Sequence, residues 1–180
     1  MTIKKVKAWS VSRYLLFLDP KREYFSNAKK EIVLSDSRKY YSRPIIGNFR
    51  LNKMLQIIQA LYYACHKTTL FNDKIKAYEH GGIVYFVYKN FRKLWEEEMT
   101  DNSKSLTKHH KEFIKKVYSY LKENYSDNEL WELAHEDLAW QKARRRKLQG
   151  KEDTFVYDSE VLNYYEKLSG SMLTAMKIRH

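Results

Sequence analysis

The sequence predicts an all-α fold: a compact single domain of about five or six helices, with a small β-hairpin carried in an insertion. Three observations lead there. Apolar residues recur at i, i+3, i+4 and i+7 in several separate segments, the spacing that lines one face of a helix. Only two prolines and five glycines interrupt 180 residues, so few positions break a helix. A hydrophobic content of 43%, with 15% aromatic residues, is enough to bury a core in one domain of this length without disulfides or metals.

Taken in order, residues 4–18 place Val6, Trp9, Val11, Tyr14, Leu15 and Leu18 near one face, and Asp19-Pro20 ends the run. A basic insertion follows over residues 19–47. In it Tyr24, Phe25, Ile32, Val33 and Leu34 flank the turn-like residues 26–30, which predicts a short hairpin. The stretch up to Pro44 lacks helical periodicity and reads as an exposed, positively charged loop. Gly47-Asn48 marks a helix start, and Leu51, Met54, Leu55, Ile58, Leu61, Tyr62 and Cys65 give the central core helix. Leu70-Phe71 reads as an apolar plug under a loop, and residues 75–78 as an extended or irregular segment turning at Gly81-Gly82.

From residue 83 to 98, Val84, Val87, Tyr88, Phe91, Leu94 and Trp95 mark one helical stripe. Thr107 caps the next helix, whose inward residues are Phe113, Ile114, Val117, Tyr118 and Leu121. Ser126 with Glu129 forms a capping box for a short helix bearing Leu130 and Leu133. Residues 150–154 read as a charged linker, and Asp158 or Ser159 opens the last helix with Val161, Leu162, Tyr165 and Leu168. The tail, 171–180, carries Met172, Leu173, Met176 and Ile178 for docking as a final turn or for a partner.

The single Cys65 allows no internal disulfide and fits a reducing compartment. The longest early apolar run, residues 14–18, is too short for an export signal or a membrane span, so a cytoplasmic protein without a membrane partner is expected. The net charge of +12 is unevenly placed: residues 1–50 hold twelve basic and four acidic side chains. A localised basic surface attracts polyanions, which leaves nucleic acid, a ribonucleoprotein or an acidic protein as partners. Tyrosine, present fifteen times, suits both half-buried helix faces and partner surfaces.

Two blocks carry more specific information. Residues 50–89 read RLNKMLQIIQALYYACHKTTLFNDKIKAYEHGGIVYFVYK, and residues 126–144 read SDNELWELAHEDLAWQKAR. Arg50, Leu51, Lys53, Met54, Leu55, Ile58, Tyr62 and Tyr63 follow a KLxKLLYYA helix pattern. Leu70, Phe71, Ile75, Ala77, Tyr78 and Gly81 follow an LF-x-x-x-I-x-A-W/Y-x-x-G segment, and His135, Trp140, Gln141, Lys142 and Ala143 an H-x-x-x-x-W-x-x-A element. In this order the three resemble the Panacea antitoxin domain family, the SocA-like proteins of bacteria, phages and other mobile elements. The sequence departs from that pattern in having Gly81-Gly82-Ile83 where a G-P-V turn is usual, and in its basic insertion. The resemblance implies a non-enzymatic helical binding protein that neutralises a toxin encoded beside it, by direct contact or by delivery to a protease.

No catalytic, cofactor or metal site is expected. A Ser or Cys nucleophile in a glycine-rich turn is absent from the sequence. Cys65 and His66 are adjacent on a helix and so point about 100° apart, which favours a core thiol beside an edge histidine. His66, His80, His109, His110, His135 and His180 lack the short recurring spacings of metal ligands, and Gly81-Gly82 lacks the lysine and hydroxyl of a phosphate loop. His135, Glu136, Asp137 and Trp140 could shape a recognition pocket, but packing at a helix end is the preferred reading. Partner contacts are expected from Arg38, Lys39, Tyr40, Tyr41 and Arg43 in the insertion, and from the cationic run Arg144, Arg145, Arg146 and Lys147. The expected partner is a protein, either a toxin or a nuclease complex. The alternative is a phage-encoded nucleic-acid or ribonucleoprotein binder that inhibits a host defence nuclease. The oligomeric state is not fixed by the sequence.

Overall fold

The structure, a computed structural model, describes residues 6–26, 31–33, 39–41, 47–97 and 105–178. It is mainly helical, as the apolar periodicity predicts. The centre is α3, Asn48–His66, which is enclosed on nearly every side: Leu51, Met54, Leu55, Ile58 and Tyr62 are fully buried. Each such aliphatic side chain gains about 1.5–3 kcal/mol from leaving water. Around α3 pack α1 (Ala8–Phe17), α6 (Lys108–Asn124), α7 (Asp127–Glu136) and α9 (Ser159–Ala175).

The helix starts follow local chemistry. Thr107 Oγ1 accepts the His110 N–H at 3.2 Å while His110 Nδ1 receives the Thr107 N–H, a capping box with histidine in the position usually held by Glu or Gln. Ser126 and Glu129 make the expected reciprocal pair, and Asp158 Oδ1 accepts the Val161 N–H at 2.9 Å. The tail docks: Met172, Leu173 and Met176 are buried as α9 runs out. Leu70 and Phe71 form the expected plug, tied to α3 by Gln59, whose Oε1 accepts both of their N–H groups at 2.9 and 3.2 Å.

Three segments differ from the sequence reading. Residues 23–26 form a short helix, α2 (Glu23–Ser26), with Phe25 fully buried; the insertion's hairpin instead pairs β1 (Glu31–Val33) with β2 (Lys39–Tyr41), antiparallel. Phe25 and the buried Asp19, which accepts the Phe25 N–H, therefore belong to the core rather than to a surface insertion.

The stripe over residues 83–98 is not one helix. Gly81–Val84 is a strand, β4, paired with β3 (Ile75–Tyr78); then follow α4 (Tyr85–Lys89) and α5 (Phe91–Glu96). Tertiary partners override the helical stripe, because side chains of α3 hold the N–H groups of Gly82 and Val84 while the extended backbone pairs with β3. Glycine is required at the turn. Gly81 has φ +115°, and a Cβ on Gly82 would fall 2.7 Å from Ile75 Cγ2 and 2.8 Å from Gln56 Oε1.

Finally, residues 150–154 do not act as a free linker. After α8 (Leu138–Leu148) the chain runs back along β3, where the Ala77 N–H donates to the Asp153 carbonyl at 2.8 Å and the Phe155 N–H to the Ile75 carbonyl at 2.9 Å. No helix among the described residues is long and apolar enough to cross a membrane.

Candidate functional site

The residues that carry the family resemblance converge on one feature, the turn between β3 and β4. Three side chains from three helices take three consecutive backbone carbonyls there. The Trp140 indole N–H, from α8, donates to Tyr78 at 3.0 Å; His135 Nε2, from α7, lies 3.1 Å from the Glu79 oxygen; and Lys53 Nζ, from α3, donates to His80. From below, Gln56 Oε1 accepts the Gly82 N–H at 2.8 Å and Asn52 Oδ1 accepts the Val84 N–H at 3.1 Å. The Gln56 amide also donates to the Ala134 carbonyl and to Asp137 Oδ2, at 2.8 and 2.9 Å, joining the turn to the α7–α8 junction. Leu51, Leu55, Tyr62, Leu70, Phe71 and Ala77, the apolar members of the motif, are all buried in the core beneath.

Burial sets the electrostatics of this clamp. Lys53 is enclosed, and desolvation pulls its pKa down to about 7, because an ammonium there loses its hydration. Desolvation likewise raises the buried Asp137 carboxyl above its ordinary value, against the opposing donors Tyr165 Oη at 2.6 Å, Gln56, and the N–H groups of Ala139 and Trp140. His135 stacks on Trp131, with ring centroids 3.5 Å apart, and leans on Trp140 at 4.4 Å. Its desolvation lowers its pKa to about 4, so the ring is neutral at physiological pH. Both of its nitrogens face carbonyls, Trp131 at 2.7 Å and Glu79 at 3.1 Å, yet a neutral imidazole has one N–H and donates to only one of them at a time. His135 lies in the last turn of α7 and Trp140 in the first turn of α8, so both sit at the junction of the two helices.

The cationic run divides. The Arg146 guanidinium donates to the carbonyls of Glu152 and Thr154 at 3.3 and 2.6 Å, while Lys147 pairs with Asp153 at 3.0 Å and sits over the Tyr78 ring at 4.8 Å. These two hold the 152–154 segment against β3. Arg145 Nε donates weakly to the Gln141 carbonyl at 3.4 Å and is exposed, and Arg144 is half-buried; these two are the members of the run with reach toward a partner. In the insertion, Lys39, Tyr40 and Tyr41 form β2, whereas Arg38 and Arg43 lie outside the described residues.

Two further features lie near the site. An apolar groove of about 170 Å³ between α3, α7 and α9 is walled by Ile57, Leu61, Leu133, Leu168 and Met172, with Asp137 and Gln56 at one end. On the opposite side His66 Nε2 and His109 Nε2 approach to 3.4 Å, but among the described residues no three His, Cys, Asp or Glu side chains are grouped to hold a metal ion. Cys65 is half-buried and its thiol pKa is raised to about 11 by burial, the opposite of an activated nucleophile.

Sequence reasoning missed the buried amides Asn52, Gln56 and Gln59. The signal was present: polar side chains spaced by three and four residues within a helix whose remaining faces are apolar have nowhere to point but into the core, and so need backbone partners there. No family model matches the chain, and neither a curated protein nor a solved structure does so.

Proposed function

We propose that this chain is a non-enzymatic protein-binding inhibitor or adaptor of the antitoxin kind, which neutralises a partner protein by stoichiometric masking. The observation that carries this reading is the inward use of the motif. Lys53, His135 and Trp140 each engage a carbonyl of the β3–β4 turn, so the residues behind the Panacea resemblance build a scaffold. A scaffold specified so closely from within leaves its outer faces, the exposed Arg145 among them, free to contact a partner. Growth supplies the test. Expressing the product of an adjoining gene alone should arrest cells, and co-expressing this chain should restore growth and yield a purified complex of fixed composition. Turnover of a substrate in excess of the protein would overturn the reading.

The charge of +12 favours a second reading, a nucleic-acid or ribonucleoprotein binder that blocks a defence nuclease. It requires that the logarithm of affinity fall linearly with the logarithm of salt, by about 0.9 for each phosphate neutralised on duplex DNA. A flat salt response rejects it.

A further inference from the structure

One surface combines features that the rest of the molecule keeps apart. α4 turns Val87 into the core, and its short length leaves Tyr85 and Phe86 48% and 58% exposed, the two most exposed aromatic rings among the described residues. Phe86 meets Trp9 of α1 edge-to-face, with centroids 5.4 Å apart and planes at 67°. Together they edge an open recess of about 490 Å³ between α1 and the α4–α5 pair.

The charges around this recess are unequal in their engagement. Glu97 pairs with Arg13 at 3.4 Å and the neighbouring Glu96 with Arg92 at 2.9 Å, while Asp73 Oδ2 accepts the Ala8 N–H at 2.7 Å at the start of α1 and keeps its charge. Lys7 and Lys93 line the recess and Lys89 lies beside it; all three are exposed and none has a carboxylate partner among the described residues, Lys89 standing 6.0 Å over the Tyr85 ring. An aromatic wedge beside this surplus of ammonium groups is complemented by an apolar anchor flanked by negative charge.

We infer that the Trp9–Phe86 recess, rimmed by Lys7 and Lys93 with Lys89 beside it, is a docking site for an acidic protein segment that inserts an apolar side chain. This deepens the masking reading and rests on it for the class of partner. The ring geometry decides against single-stranded nucleic acid as occupant. Bases stack in succession on parallel faces, whereas Trp9 and Phe86 cross at 67° and form a wedge.

The test uses the full chain with three labelled probes, read by fluorescence anisotropy at physiological salt: a peptide of glutamates punctuated by leucines, its all-glutamate counterpart, and an oligothymidylate. The leucine-bearing peptide should bind most tightly. Phe86→Ala and the double variant Lys89→Ala/Lys93→Ala should each weaken it by about tenfold or more, and the oligothymidylate should not compete. All the substituted side chains are exposed, and circular dichroism should confirm an unchanged fold. Peptide binding that is absent, or equal in wild type and variants, overturns the proposal; so does oligothymidylate binding that these variants abolish. The two readings fail separately. Should Phe86→Ala and the lysine variant still restore growth fully in the co-expression assay, the surface is wrong and masking stands. Should wild type restore no growth while the peptide pattern holds, masking fails and the surface stands.

Discussion

The β3–β4 clamp and the Trp9–Phe86 recess hold the same kinds of residue, aromatic rings with lysines and carboxylates, and put them to opposite uses. In the clamp the Trp140 indole has its carbonyl, Asp137 has four donors, and Lys53 is buried against a backbone oxygen. At the recess Phe86 is open to solvent, Trp9 is half-buried, and the ammonium groups of Lys7, Lys89 and Lys93 have no carboxylate partner among the described residues. Residue type therefore does not distinguish a structural cluster from an interaction surface. What separates them is whether each polar atom has found its partner within the chain, since an unpaired polar group is costly when buried and nearly neutral when wet.

That contrast breaks most visibly where a buried charge loses its partner. Arg50 Nε donates to Asp127 Oδ1 at 2.7 Å, both side chains are buried, and the guanidinium also lies over the Tyr24 ring at 4.2 Å. Asp127→Ala removes the carboxylate from a buried cation that keeps its bond to the Tyr24 carbonyl, and an expected loss of about 4 kcal/mol should be seen in urea unfolding, far beyond what any exposed pair such as Lys74–Glu152 contributes.

Lys53 gives the next effect, one of pH. Its folded pKa of about 7 lies below the ordinary lysine value of 10.5, so between those values the unfolded chain binds the extra proton. Stability should accordingly rise with pH from 7 toward 9.5, by on the order of 3 kcal/mol. Above that range the buried tyrosines, Tyr62 and Tyr118 among them, work the other way, because burial raises their pKa and only the unfolded chain ionises. Denaturant midpoints at pH 7 and 9.5 should differ in wild type, and Lys53→Met should lose that rise, leaving the small opposite slope of Cys65, whose buried thiol ionises only in the unfolded chain. An unchanged slope in the variant would remove the buried-ammonium account of the clamp.

How much of this could be read in the chain follows from the range of the interactions involved. Helix starts at Ser126 and Asp158 were legible, because a capping residue and its N–H partners lie within three positions. The α3 stripe and the Leu70-Phe71 plug were legible because apolar periodicity is also local. The split of residues 83–98 was not, because Gly82 and Val84 answer to Gln56 and Asn52, around thirty positions away. Nor was the division of the cationic run: nothing adjacent tells Arg146 and Lys147, held by residues 152–154, apart from Arg144 and Arg145. The Trp9–Phe86 recess was hidden for the same reason, since it exists only once α1 and α4 are side by side. By sequence Trp9 falls on the apolar face of the first helix and Phe86 on no face with a role.

His135 sharpens the comparison from the acid side. Its pKa is lowered to about 4 from the ordinary histidine value of 6.5, so the unfolded chain takes up a proton first as pH falls, and folded-state stability should drop between those values by about 2–3 kcal/mol. His66 and His110 are shifted the same way by burial, so they add to the wild-type slope, and the measurement has to be a difference. His135→Asn should therefore be less stable at pH 7 yet show a shallower decline from pH 6.5 to 4.5. A decline as steep as wild type would place the acid sensitivity at the His66 and His110 face instead.

The smallest effect expected is at the recess, and its smallness is the point. Phe86 is more than half exposed and makes one edge-to-face contact, with Trp9, so truncating it removes little area from solvent exclusion. Phe86→Ala should change unfolding free energy by no more than about 0.5 kcal/mol, against the 3–5 kcal/mol that truncating a buried phenylalanine costs. A loss approaching the core value would mean that Phe86 supports the packing of α1 on α4, and the recess would then belong with the clamp as a structural cluster. A near-silent substitution that still weakens the leucine-bearing peptide would separate the two regions by experiment, one holding the fold and the other holding a partner.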